Sequence, residues 1–154
     1  MKKLFIYSIL LITIFSSCLD PCRKTNCING GYCNNGTCEC PFGYEGTNCE
    51  TEMREKFIGI FNGSYSDSDG DTYKDKIIIS ARASVTELKI PLYKSFLIGT
   101  ISNGNNFVIK NQSVETGIST EGKGSIKGNK IIINLTIYEK GFPTFFLDFE
   151  GIKQ

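Results

Sequence analysis

Cysteine is the residue type in this chain with the most evident chemistry, and all seven cysteines fall before residue 50. Six of them read Cys22-x4-Cys27-x5-Cys33-x4-Cys38-x-Cys40-x8-Cys49. The stretch around them has few apolar side chains. It cannot bury a sufficient core of its own, so the thiols are expected as disulfides that hold it together. Other reactive groups are scarce. The chain has no His, which removes Ser-His-Asp and Cys-His sites and His-ligated zinc. Asp67, Asp69 and Asp71 alternate, as carboxylates converging on calcium do. Yet Gly70 falls at the fourth position of that loop and Ile78 at the twelfth, where a closing Glu would be needed, so the loop reads as a solvated hairpin connection. Asp148 and Glu150 share one face of a strand. Paired carboxylates can hydrolyse glycosides, but two neighbours on an outward face read as solvated surface. The expectation is no enzyme, no cofactor and no bound metal.

The cysteine spacing resembles that of an EGF-like module. "NGGYC" (Asn29 to Cys33) is similar to the family's turn before the third cysteine. "CECPFGYEGTNC" (Cys38 to Cys49) is similar to its C-terminal loop, with Gly43 and Tyr44 where the family has Gly and an aromatic. Six cysteines alone leave many pairings open. The resemblance implies first with third, second with fourth and fifth with sixth, that is Cys22–Cys33, Cys27–Cys38 and Cys40–Cys49. Each bridge would close a loop of about 10 residues, worth ~2–3 kcal/mol in the chain-entropy model. The approach to Cys22, Leu19-Asp20-Pro21, lacks the acidic cluster of calcium-binding EGF modules, and the loop Asn34-Asn35-Gly36-Thr37 is too short for their later ligands. A module without calcium is expected. Tyr32, Phe42 and Tyr44 are its candidate contact residues: Tyr44 as mini-core, Tyr32 and Phe42 as open aromatics that could anchor a partner.

The seventh cysteine, Cys18, ends the segment MKKLFIYSILLITIFSSC. Lys2 and Lys3 precede an apolar run, Leu4 to Phe15, too short to span ~30 Å of hydrocarbon, which takes about 20 helical residues. Residues 1–17 therefore read as a signal peptide. Phe15-Ser16-Ser17-Cys18 resembles a bacterial lipobox, with Phe15 where Leu is usual, and implies lipidation of Cys18. That would account for an otherwise unpaired exported thiol. No cysteine would then remain as a nucleophile. The expected organisation is signal peptide 1–17, lipidated tether 18–21, EGF-like module 22–49, linker 50–56 and a β domain over 57–154.

The β domain is read from its period. Ile77 and Ile79, Leu88 and Ile90, Ile131 and Ile133, and Phe145 and Phe149 stand at alternate positions with β-branched and aromatic neighbours, which is the strand pattern. Asp69-Gly70-Asp71, Asn103-Gly104-Asn105, Lys127-Gly128-Asn129 and Lys140-Gly141-Phe142-Pro143 punctuate them as turns. Eight strands are expected, over 57–65, 73–83, 86–93, 96–102, 107–112, 117–126, 130–138 and 144–152. Short turns imply antiparallel neighbours, so the fold class is all-β: an antiparallel eight-stranded meander closed as an up-and-down barrel or stacked as a sandwich. Gly122 and Gly124, inside the sixth strand, mark a sharply coiled corner. The meander resembles lipocalin-like barrels, without their Gly-x-Trp signature.

Net charge is +1 with no basic run, unlike the footprint of a nucleic-acid binder. Asn35, Asn62, Asn111 and Asn134 open Asn-x-Ser/Thr sequons, which matter only in a eukaryotic secretory route. Together these features predict a bacterial envelope lipoprotein. It would be held to a membrane, the outer membrane or cell surface, by its N-terminal lipid, with a non-catalytic binding, adhesion or spacer role toward a protein or glycan. The alternative is a carrier of a small apolar ligand in the barrel interior. Bulky apolar residues at the inward positions predict a filled core.

Overall fold

A computed structural model describes residues 20–154; the signal peptide and Cys18 read from the sequence lie outside the described residues. The disulfide-bonded segment forms two small hairpins. Strand β1 (Tyr32–Asn34) pairs antiparallel with β2 (Thr37–Glu39), and β3 (Tyr44–Glu45) with β4 (Thr51–Glu52). The bridges are Cys22–Cys33, Cys27–Cys38 and Cys40–Cys49, with Cα separations of 5.8, 5.6 and 5.3 Å. Of its cysteines only Cys49 belongs to the buried apolar set, so covalent links do for this segment what packing does elsewhere.

Eight longer strands follow: β5 (Gly59–Asp67), β6 (Thr72–Ala81), β7 (Glu87–Leu92), β8 (Ser95–Asn103), β9 (Asn106–Glu115), β10 (Ile118–Lys127), β11 (Lys130–Glu139) and β12 (Phe145–Lys153). Each pairs antiparallel with the next, and β12 returns to β5 through Leu147↔Asp67 to Lys153↔Phe61, so the sheet is a closed barrel and not a sandwich. Closure removes the exposed edges of an open sheet. The alternating apolar residues turn inward as their period requires. Ile77, Ile79, Leu88, Ile90, Ile131, Ile133 and Phe149 are all buried, while Phe145 is half-buried.

Two ladders are incomplete. β6 meets β7 only at Ser80↔Lys89 and Ala81↔Leu88, and Pro91 on β7 has no N–H to offer. Between β8 and β9 the backbone rungs run from Thr100↔Val108 to Asn103↔Asn106. Above them the Gln112 side chain bridges the gap, accepting from Ile98 N–H at 2.9 Å and donating to Ile98 C=O at 3.1 Å. Between β9 and β10 the register shifts at Thr120/Gly122, so Gly122 stands at the bulge expected of a coiled corner.

Segment 50–56, expected as a linker, contains β4 and opens a single 3-10 turn, Glu55–Phe57. That turn closes the barrel end at which β5 begins. Phe57 is fully buried and meets Phe107 edge-on, ring centroids 5.4 Å apart. Arg54 is 8% exposed; its guanidinium donates to the carbonyls of Arg82 and Ser84 and pairs with Glu52 at 2.6 Å. The Gly43 backbone abuts Val85 and Thr86 of the same barrel loop, so closely that a Cβ there would lie 2.9 Å from Val85 Cγ2. Lys56 pairs with Glu45 at 2.7 Å. The disulfide segment is therefore docked on the barrel, because the side chains between the two belong to both.

Candidate binding site

The barrel is filled unevenly. Near the disulfide segment its interior holds Phe57, Phe61, Phe107, Ile131, Ile133 and Phe149, all 2% exposed or less. At the opposite end the lining mixes apolar, aromatic and charged residues, and the packing opens into a cavity of about 440 Å³. The expectation of a barrel packed from end to end is corrected at this end. The reason lies in the strand ends, which diverge where the β6–β7 ladder stops. Leu92, Val114, Ile118, Ile137 and Leu147 form the apolar wall. Tyr65 and Tyr73 form an aromatic one, stacked at 5.6 Å and 24°, with Tyr65 also tilted against Phe149 at 4.9 Å.

Three charged residues, Asp75, Lys94 and Glu115, join this lining. Asp75 stands at an inward register of β6, alternating with Tyr73, Ile77 and Ile79. Its Oδ1 accepts from the Lys76 amide at 2.7 Å, and no ion pair is formed by it among the described residues. The Lys94 ammonium sits over the Tyr93 ring, 5.3 Å from its centroid. Burial pushes the Tyr65 phenol up to about 12, and the charge of Asp75 and the neighbouring Tyr73 add to that. Burial, then Asp67 and Asp75, raise Tyr73 as well. Thr120 lies behind this lining; it is fully buried, and its Oγ1, without accessible surface, has no hydrogen-bond partner.

The contact residues expected from the sequence lie elsewhere. Tyr32 is 61% and Phe42 57% exposed on the disulfide segment, and Tyr44 is half-buried on β3. The Tyr32 hydroxyl and the Asn34 amide both donate to Glu39, which holds that carboxyl below its usual range. The acidic loop turns on itself: Asp67 Oδ1 accepts from the amides of Asp69 and Asp71 at 3.1 and 2.9 Å. Asp148 accepts from Asn134 at 2.8 Å and Glu150 pairs with Lys130 at 2.5 Å, both on the outer face. The cavity residues were missed by sequence reasoning. A signal was present, since Tyr65, Tyr73, Asp75 and Thr120 occupy inward positions of strands that are otherwise apolar.

No protein-family model matches the chain. Among solved structures the fold is similar to that of EF1p2_mFAP2b bound to DFHBI, with a TM-score of 0.50 and 10% sequence identity. The match covers 66% of this chain and 97% of that one. At that identity the likeness is one of fold.

Proposed function

We propose that this protein is an envelope lipoprotein that binds a small, largely apolar molecule in the open end of its barrel. The cavity carries this reading. Its size falls within the ~300–1,000 Å³ typical of small-molecule sites, and its walls are apolar and aromatic, with exposed charged residues among the lining. The similar barrel solved bound to DFHBI supports it at the level of fold. The cysteine pattern supports an EGF-like module, and the lipobox-like run supports lipid at Cys18. The function is binding without catalysis.

Adhesion through the module is the second reading, favoured by the exposed rings of Tyr32 and Phe42. Titration with the neutral fluorophore N-phenyl-1-naphthylamine separates the two. We expect one probe per protein, binding abolished by Ile118→Trp, which fills the mouth, and unchanged in a Tyr32→Ala/Phe42→Ala double variant. Binding that ignores Ile118→Trp and disappears with the module aromatics overturns the cavity reading. Intact-mass measurement of the membrane fraction tests the anchor: an unmodified N-terminus at residue 19 or later refutes it.

A further inference from the structure

The barrel is closed only partly along β6. Its ladder to β7 consists of Ser80↔Lys89 and Ala81↔Leu88. Carried on, that register would set Pro91, which has no N–H, opposite Ile78, and β7 would end at Leu92, opposite Ile77. Thr72 to Lys76 therefore run on beyond the end of β7, and all of them are exposed. The direction of their backbone groups is fixed from both sides. Arg82, just past β6, donates to the Glu87 carbonyl, and the Ile60 carbonyl of β5 accepts from Gln154. With Tyr65↔Tyr73 and Gly63↔Asp75 in register, the odd residues of β6 bond β5 and the even ones face away from it. Thr72, Lys74 and Lys76 thus turn N–H and C=O toward a strand position that β7 does not reach. The Lys76 N–H is met by the adjacent Asp75 Oδ1 at 2.7 Å. Those of Thr72 and Lys74 have no hydrogen-bond partner among the described residues.

An edge of this kind pairs with an extended chain: the main chain gives affinity, and alternate side chains give specificity. The even residues of β6 point outward, so an added strand would lie along Lys74 and Lys76, with Lys89 and Lys94 across the gap. None of these four lysines forms an ion pair among the described residues. At the inner end of the gap, Ile78, Pro91 and Phe96 line a groove of about 390 Å³. A second copy is a poor occupant. Two antiparallel β6 edges, in the registers that overlap most, would set Lys74 opposite Lys74 or Lys76, and like charges directly opposite are destabilising. We propose that β6 receives an extended segment of a partner protein, added antiparallel in the place a longer β7 would take. Its acidic side chains, at alternate positions, lie beside Lys74 and Lys76, and an apolar one enters the groove. This site is on the outer wall and does not rest on the cavity.

The probe is the capped peptide Thr-Glu-Thr-Glu-Thr-Leu-Thr, titrated at low salt into the full-length protein in detergent, with amide hydrogen exchange read by NMR. We expect one peptide per protein and new protection at the Thr72 and Lys74 amides, while Tyr73 and Asp75, already bonded to β5, change little. The same peptide with Lys for both Glu should not bind. Lys74→Ala removes one exposed ion pair and should weaken binding about two- to fivefold. Lys74→Pro also removes the edge N–H but takes no bond from β5, as a proline on an edge strand does. It should abolish binding while Tyr73 and Asp75 keep the protection that reports the fold. Lys74→Glu/Lys76→Glu should transfer the preference to the Lys peptide. Failure of the acidic peptide to bind, binding to Lys74→Pro as tight as to Lys74→Ala, or protection appearing away from β6 overturns the proposal. Protection of Thr72 and Lys74 that rises with protein concentration in the absence of peptide assigns the edge to a second copy and overturns it too.

Discussion

Gly124 and Phe107 face each other across β10 and β9, and a Cβ on Gly124 would lie 2.1 Å from the Phe107 ring. The glycine is where the ring goes. Phe107 in turn receives Phe57 edge-on, so three residues from three elements close one end of the barrel. Gly151 does the same for Phe149, whose ring would sit 2.5 Å from an added Cβ.

Gly124→Ala should therefore destabilise by about 1–3 kcal/mol, as overpacking of a dense core does, against the small gain that Ala normally brings to a strand. Phe107→Leu alone should cost about as much through lost contacts. The double variant should cost less than the sum, because the shortened side chain vacates the space that the new methyl needs. Urea melts of the four proteins measure the coupling; additive penalties would mean that the ring does not depend on the glycine.

Reduction should affect the two parts unequally. The barrel has no cysteine, and its core is self-contained, so its strands should keep their protected amides in reductant. The disulfide segment has few buried apolar residues of its own and should exchange freely once reduced. The docking through Arg54 and Phe57 adds a consequence. Arg54→Ala removes charged hydrogen bonds worth ~1.5–3 kcal/mol each and should lower barrel stability even with all three bridges intact. Hydrogen exchange read by mass spectrometry, with and without reductant, checks both; simultaneous loss of barrel protection on reduction would contradict the first.

Much of this architecture was legible in the chain because a two-residue period survives tertiary packing. Ile77/Ile79 and Ile131/Ile133 could face only one interior, and the Gly- and Asn-rich turns were too short for anything but antiparallel neighbours. Closure was not legible. It depends on β12 meeting β5, a pairing of strands far apart in sequence for which neither carries a local mark. The contacts of segment 50–56 were hidden for a related reason: Arg54 and Phe57 look like a charged and an apolar residue beside a boundary until the barrel end they occupy exists. The cavity was hidden because each inward polar residue reads singly as noise. Only the register, which sets Tyr73 and Asp75 on β6 near Thr120 on β10, makes them one site.

Gln112 should behave as a piece of backbone. Its amide fills the place of a missing rung between β8 and β9, pairing with both the N–H and C=O of Ile98. Gln112→Ala leaves two part-buried backbone groups unpaired, and a loss of ~1–3 kcal/mol follows from their desolvation. The Ile98 amide should exchange faster than its neighbours on β8. Gln112→Glu keeps an acceptor for the N–H and puts a carboxylate oxygen against the Ile98 carbonyl, so it should be no better than Ala. An unchanged Ile98 protection factor in Gln112→Ala would show that the ladder closes without the side chain.

Tyr65 sets the alkaline limit of the open end. Its phenol titrates near 12 in the folded protein because burial disfavours the phenolate, against the ordinary value of 10.0. The sign follows from proton binding. Below pH 10 both folded and unfolded states hold the proton, and the contribution of Tyr65 does not vary. Between about 10 and 12 the unfolded chain gives up its proton while the folded one retains it, so stability falls as pH rises through this window. Tyr73, raised by burial with Asp67 and Asp75 nearby, should add to the decline less strongly because it is more exposed. Tyr65→Phe removes the titrating group and should flatten the slope of unfolding free energy against pH above 10. Phenolate absorbance at 295 nm on rapid pH jumps, short enough to spare the disulfides, should show the latest-titrating tyrosine missing in that variant. A wild-type protein and a Tyr65→Phe variant with the same slope above pH 10 would mean that the ring reaches water and that the wall of the cavity is not closed around it.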